Sequence, residues 1–272
     1  ITELVEKDEL VLYNSRLELV LQVVSVSSPV LSFLVLQFAS LRITLVLDAL
    51  SFFLAFGLVA LLPKKEEKAL GEKKLTFKVI FSDIKEGVHY IVKQKEIFFL
   101  LVMASSVNFF FAAFNYLLPF SNQLYGVQGA YATILIMGAI GSIVGALLAS
   151  KIKASMEKLL LLLALTGLGV MIMGFNLPSY LAFSGNFICE LFMTMFNIHF
   201  FTQVQTKVEG EYLGRVLSSI YTLAILFMPI ATGLMTWLSS VHLYSFLIIG
   251  LGVVILSFLA LGYVRTHFKK EI

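Results

Sequence analysis

A row of polar side chains within an apolar stretch is the most chemically informative feature of the sequence. Asn186, Glu190, Thr194 and Asn197 follow one another at steps of four, four and three residues, which places them along one face of a helix. An acid in the middle of an apolar stretch can carry a proton or anchor a cationic molecule. The structural alternative is that the carboxyl group of Glu190 only bonds a neighbouring helix.

Other apolar stretches carry polar residues in comparable patterns. Asn108 and Asn115 lie two helical turns apart in one stretch, and Glu18 and Gln22 lie one turn apart in another. An internal repeat links the beginning and the end of the chain: 5–10 resembles 208–213, and Pro29 matches Pro229 at an offset of 200 residues. Repeated halves that contain matching helix-bending positions are typical of secondary transporters.

The composition requires a membrane environment for these residues. Hydrophobic residues make up 59% of the chain and charged residues 14%, and the mean hydropathy is +0.93, outside the range of soluble domains. The sequence predicts an all-α, polytopic membrane protein, because eight stretches are long and apolar enough to cross a bilayer. They are 15–37, 41–62, 97–120, 130–150, 158–175, 179–203, 215–238 and 243–264.

The basic residues give these spans a direction. If the spans alternate, one side of the membrane receives 19 of the 20 Lys and Arg residues, including nine in the central loop 63–96. Such an excess marks the cytoplasmic side, so both ends of the chain are predicted to be cytoplasmic. Within the loop, apolar residues recur at helical spacing, which predicts an amphipathic helix along the membrane surface. We interpret it as a tether between two helix bundles, with binding of anionic lipid as the alternative.

Several functional classes lack sequence support. The basic residues are spread over separate loops and form no nucleic-acid patch, and Cys189 is the single cysteine. The sequence contains no metal-binding, phosphate-binding or hydrolase motif. We therefore expect no metal, no cofactor and no enzymatic activity.

The sequence resembles the major facilitator superfamily, in particular its macrolide-efflux-like drug exporter branch. The segment 205–216 (QTKVEGEYLGRV) is similar to that branch's loop between its tenth and eleventh helices. The segment 48–52 (DALSF) resembles its sixth helix, and 83–90 (DIKEGVHY) resembles the element that leads into its seventh.

This resemblance covers the last eight of the family's twelve helices. It implies an incomplete twelve-helix fold: 1–62 would end an N-terminal bundle, 63–96 would be the cytoplasmic linker, and 97–272 would form the six-helix C-terminal bundle. The family's first four helices would then be a missing partner of this chain. The spans that begin near 15, 97, 130, 179 and 215 would surround a central cavity, and Gly214, Arg215, Pro29 and Pro229 would act at gates or turns.

The resemblance implies proton-coupled efflux of hydrophobic drugs such as macrolides across the plasma membrane, and hence drug resistance. Glu190, Asn186, Thr194, Asn197, Asn108, Asn115, Glu18 and Gln22 would then face substrate or protons. Two alternatives remain open. The chain could be a truncated or partner-dependent membrane protein without transport of its own, or a membrane-embedded enzyme, for which no acid-base or metal cluster is found.

Overall fold

Helices make up all the regular structure in the parts of the chain that are described. The structure is a computed structural model and describes residues 9–38, 40–60, 77–153, 155–238 and 241–267. The helices are α1 (Leu10–Phe38), α2 (Leu41–Ala60), α3 (Phe77–Lys93), α4 (Lys95–Leu117), α5 (Ser121–Tyr125), α6 (Ala130–Ala149), α7 (Met156–Gly174), α8 (Ser179–Lys207), α9 (Gly210–Leu226), α10 (Met228–Trp237) and α11 (Leu243–His267). The predicted all-α class is confirmed.

Six helical runs among the described residues are long and apolar enough to cross a membrane. They are Lys95–Tyr125, Ala130–Ala149, Met156–Gly174, Ser179–Lys207, Tyr212–Trp237 and Leu243–His267. These runs match the last six predicted spans, and the chain is a multi-pass membrane protein. The first two predicted spans fall on α1 and α2, which are helical; their crossing of the membrane stays a prediction.

The chain divides into two compact units. One contains Val23–Phe81, and the other contains Ile1–Gln22 together with Ser82–Ile272. In the first unit, α2 exposes its large apolar side chains, and Phe53 and Phe56 are 73% and 74% exposed. A helix that is apolar on all sides requires lipid or other helices around it. Residues 77–93 of the central loop form α3, where the sequence predicts a helix. Its position along the cytoplasmic membrane surface stays a prediction, and 61–76 lie outside the described residues.

Glycines allow the helices of the larger unit to pack closely. A Cβ atom at Gly141 of α6 would lie 2.3 Å from the carbonyl oxygen of Phe187 on α8, and one at Gly145 would lie 2.3 Å from that of Leu191. Gly169 of α7 similarly meets the backbone of α8 at Gly185. The backbones of α6, α7 and α8 are therefore in direct contact, as is usual where small residues line membrane helix interfaces.

The two helices of the Tyr212–Trp237 run are separated by a break at Phe227. Pro229 is the second residue of α10. Proline lacks an amide hydrogen and is well suited to the first turn of a helix, but it interrupts a helix that continues through it. The sequence-predicted bend at Pro229 thus corresponds to the boundary between α9 and α10.

Candidate functional site

A cavity of about 420 Å³ lies between α1, α4, α8 and α9. Four of the five helices expected to surround a cavity therefore do so, and α6 contributes none of the lining residues of this cavity. The lining is Asn14, Leu17, Glu18, Leu21, Ala104, Val107, Asn108, Met193, Phe196, Asn197, Ile198, Phe200, Phe201, Gln205, Leu217, Ile220, Tyr221 and Ile225. Most of these side chains are apolar, and the few polar groups are the ones that can orient a bound molecule.

Glu18 carries the only charge among the lining residues of this cavity. Its carboxylate accepts a hydrogen bond of 2.8 Å from the Nε2 of Gln22, one helical turn later. An acid on an otherwise uncharged cavity wall can bind a proton or a cation.

Aromatic rings form much of the apolar wall. The rings of Phe201 and Tyr221 stack with their centroids 5.3 Å apart, and Phe200 meets Phe201 edge to face at 5.2 Å. Such pairs gain from ring packing and present a flat surface to an apolar ligand. The sequence reasoning did not select Phe201 or Tyr221, because neither belongs to the polar pattern.

Two amides point to the same cavity from different helices. Asn108 on α4 and Asn197 on α8 are both partly buried and line it. An amide both donates and accepts hydrogen bonds, so these two side chains can bind ligand groups of either type. The structure brings together Glu18, Asn108 and Asn197 from the predicted set.

The polar row on α8 divides between two environments. Asn186 is 2% exposed and its Nδ2 donates to the carbonyl oxygen of Ile134 on α6 at 2.8 Å. Glu190 is partly buried, and its Oε2 accepts a hydrogen bond of 3.4 Å from the hydroxyl of Ser142, also on α6. Gly138 provides the space for both side chains, since a Cβ atom there would lie 2.4 Å from the Nδ2 of Asn186 and 3.1 Å from the Cγ of Glu190.

Three other predicted residues do not line the cavity. Thr194 is 3% exposed within α8 but does not line the cavity. Asn115 is exposed near the end of α4, and Gly214 is exposed with no atom within 4 Å of a Cβ built on it. The side chain of Pro29 lies outside the described residues.

Asn14 makes the most extensive polar contact at the cavity, and the sequence analysis did not select it. Its Nδ2 donates to the Oγ1 of Thr202 at 3.1 Å and to the Oε1 of Gln205 at 2.9 Å. Asn14 and Thr202 are each 8% exposed. These bonds connect α1 with α8 across 188 and 191 positions of sequence, and no local pattern signals such a pairing.

Arg215 connects α9 with α3. Its Nη1 donates to the Oε2 of Glu86 at 2.9 Å, and the rings of Tyr90 and Tyr212 stack beside this pair with centroids 4.9 Å apart. Gly87 lies against the backbone of α9, where a Cβ atom would be 2.8 Å from the carbonyl oxygen of Arg215. The nearby ion pair of Lys207 with Glu96 joins a different pair of helices, α8 and α4. We define Glu86, Gly87, Tyr90, Tyr212 and Arg215 as the α3–α9 contact.

The sequence model of the Major Facilitator Superfamily matches residues 1–224 of the chain. The chain belongs to the Major Facilitator Superfamily. Proteins of this superfamily are transporters rather than enzymes, and the apolar helices around a partly polar cavity agree with that activity. Comparison with curated proteins and with solved structures gives no match.

Proposed function

We propose that this major facilitator transporter exports hydrophobic drugs, macrolides among them, in exchange for protons. The observation that supports this proposal is the cavity between α1, α4, α8 and α9, whose apolar and aromatic wall contains a few amides and a single charge. A hydrophobic compound would bind against the Phe201–Tyr221 pair. Asn108 and Asn197 would bind its polar groups from two helices.

The proposed transport cycle uses alternating access. Membrane transporters of this kind expose a central site to one side of the membrane and then to the other, by movement of helix bundles. We place the transporter in the plasma membrane, as drug export from the cell requires. We place both ends of this sequence on the cytoplasmic side, because the Lys and Arg residues concentrate in the segments that would then be cytoplasmic.

The proposed proton site is Glu190. Its carboxylate accepts a hydrogen bond from Ser142 at the α6–α8 interface. A proton bound at Glu190 would remove its charge and alter this hydrogen bond, and so favour a different packing of α8 against α6. Release of that proton would restore the charge, and this change couples proton binding to helix movement.

Glu190→Gln tests this role in cells that express the transporter. The amide keeps the shape of the side chain but cannot bind a transportable proton, so efflux of a radiolabelled macrolide should lose its dependence on an imposed pH gradient. Glu157→Gln is the matched control, because Glu157 is a surface acid paired with Arg265 at 3.5 Å. Efflux by Glu190→Gln that still follows the gradient would remove Glu190 from the mechanism.

A further inference from the structure

We propose that Asn186 stabilises the protonated form of Glu190 by accepting a hydrogen bond from its carboxyl group. The inference deepens the proposed function and rests on it, because it explains how the α6–α8 interface distinguishes the neutral acid from the charged one. Asn186 is then a positioning residue that acts through Glu190. The physical basis is an oxygen atom of Asn186 that is buried without a hydrogen-bond donor among the described residues.

The amide of Asn186 has one bonded end and one unbonded end. Asn186 is 2% exposed, and its Nδ2 donates to the backbone carbonyl oxygen of Ile134 at 2.8 Å. A carbonyl oxygen only accepts hydrogen bonds, so the nitrogen must face Ile134 and the Oδ1 is directed elsewhere. That Oδ1 is buried and has no hydrogen-bond partner in the part of the chain that the structure describes. A buried acceptor of this kind is destabilising unless a donor becomes available.

Glu190 shares a small site on α6 with this amide. It follows Asn186 by one helical turn, the spacing at which two side chains on a helix are neighbours. Both contact Gly138: a Cβ atom built there would lie 3.1 Å from the Cγ of Glu190 and 3.3 Å from the Cγ of Asn186. The carboxyl group and the amide are therefore held together over a single glycine of α6.

The two forms of Glu190 differ in what they offer to Asn186. A carboxylate only accepts hydrogen bonds, and its Oε2 accepts one from the hydroxyl of Ser142 at 3.4 Å. A neutral carboxyl group has an O–H that can donate to the Oδ1 of Asn186 while the other oxygen still accepts from Ser142. Protonation therefore supplies the donor that Asn186 lacks, and deprotonation leaves two acceptors side by side.

Few other titratable groups lie on the helices around Glu190. Its own helix, α8, packs against α6 and α7. α6 contains no charged residue, and its one tyrosine lies in the first turn, as do the acid and the lysine of α7. On α8 itself, Cys189 is a buried thiol and His199 lies nine positions beyond Glu190. Glu18 is the charged residue of the cavity wall. The carboxyl group of Glu190 is thus the donor best placed for the Oδ1 of Asn186.

Infrared spectroscopy of the carboxyl group tests this inference without any transport measurement. A neutral carboxyl group gives a C=O stretching band that a carboxylate lacks, and the band of Glu190 is the one that Glu190→Gln removes. The purified chain is reconstituted in liposomes, and the band is recorded as the pH is lowered. Its frequency reports hydrogen bonding, since the band moves to higher frequency when the carboxyl group loses a hydrogen bond.

In Asn186→Leu, which keeps a branched side chain of similar size, the Glu190 band should move to higher frequency. The pH at which half of the band has appeared should fall by about one unit, because loss of the acceptor weakens proton binding about tenfold. Thr194→Val is the matched control, since it removes a buried polar group one turn from Glu190 in the other direction. Its band should keep the frequency and the half-point of the parent.

The proposal is overturned if the Asn186→Leu band keeps the parent's frequency, or if its half-point stays or rises. Equal shifts in Asn186→Leu and Thr194→Val would also overturn it, as would the absence of any Glu190 band in the parent. If Asn186→Leu does not elute as monodisperse protein, Asn186→Ala, which adds no bulk, is measured against the same criteria. Failure of the drug-export proposal gives a different result: macrolide efflux is absent in the parent, while the Glu190 band still depends on Asn186.

Discussion

At the scale of single residues, the acids Glu18 and Glu190 differ in their surroundings. Glu18 lines the cavity, whereas Glu190 lies at the contact of α8 with α6 and accepts a hydrogen bond from Ser142. Glu18 can contact a substrate directly, whereas proton binding at Glu190 can alter the packing of α8 against α6. In the proposed function, Glu18 would therefore bind the substrate and Glu190 would carry the coupled proton.

Glu18→Gln should therefore weaken the transport of a cationic hydrophobic compound. A hydrogen-bonded charge contributes about 1.5–3 kcal/mol, so the KM for a lipophilic cation should rise roughly ten- to hundredfold. The KM for a neutral macrolide analogue should change little, because it does not depend on a counter-charge. Initial efflux rates over a range of internal substrate concentrations provide the measurement.

The control for this substitution is again Glu157→Gln. It removes the charge of an acid that is paired with Arg265 and does not line the cavity. An equal rise in KM for the cation and for the neutral compound would show that Glu18→Gln only perturbs the structure. An unchanged KM for both compounds would remove Glu18 from the substrate site.

At the scale of helices, close glycine contacts determine which polar residues reach the cavity. Gly138 allows α6 to approach Asn186 and Glu190, so these two side chains are covered by α6. Asn197, further along α8, lies beyond this contact and faces the cavity. The same polar row thus serves a helix interface at one end and a cavity at the other.

Gly141→Ala should destabilise the α6–α8 interface. Its Cβ atom would lie 2.3 Å from the carbonyl oxygen of Phe187, and a backbone atom cannot move aside without separating the helices. Overpacking of this kind costs about 1–3 kcal/mol. The buried thiol of Cys189 serves as the reporter, because a thiol-reactive dye labels it only on unfolding, and the midpoint temperature of labelling should fall.

Gly233→Ala on α10 should instead raise the midpoint temperature of Cys189 labelling. No atom lies within 4 Å of a Cβ atom at that position, and alanine in a helix is about 0.5–1 kcal/mol more stable than glycine. If both substitutions shift the midpoint by the same amount and in the same direction, close contact at Gly141 does not determine the packing.

The α3–α9 contact gives a second prediction for a helix pair. In Gly87→Val the added side chain would collide with the carbonyl oxygen of Arg215 and with the Oγ of Ser219, at 2.8 and 2.6 Å from its Cβ atom. The two helices should separate there, and trypsin should then cleave faster at Lys85 and Lys93. His89→Val provides the comparison, since His89 is an exposed residue of the same helix. Identical cleavage of the two variants would contradict the contact.

At the scale of the whole molecule, hydropathy and charge predict the architecture well, because the bilayer acts on every residue of a span in the same way. The last six spans and the cavity positions of Glu18, Asn108 and Asn197 follow from this. Which polar residues of α8 face α6 and which face the cavity depends on how closely α6 approaches α8. This distance is a property of the packed pair of helices. The hydrogen bonds from Asn14 to Thr202 and Gln205 join residues nearly two hundred positions apart in the sequence. Neither can be derived from spacing within one helix.

Filling the cavity tests whether transport passes through it. Asn108→Trp places an indole at the cavity wall from α4 and should abolish macrolide efflux and reduce macrolide binding at least about tenfold, because the bound molecule loses its space. Asn115→Trp is the matched variant: the same substitution lies two turns later on α4, exposed and away from the cavity lining. The Cys189 labelling midpoint of both variants should stay near that of the parent, which shows that the fold survives. If Asn108→Trp still binds and exports the macrolide as Asn115→Trp does, the transport route lies elsewhere, and Glu18 cannot bind the substrate as proposed.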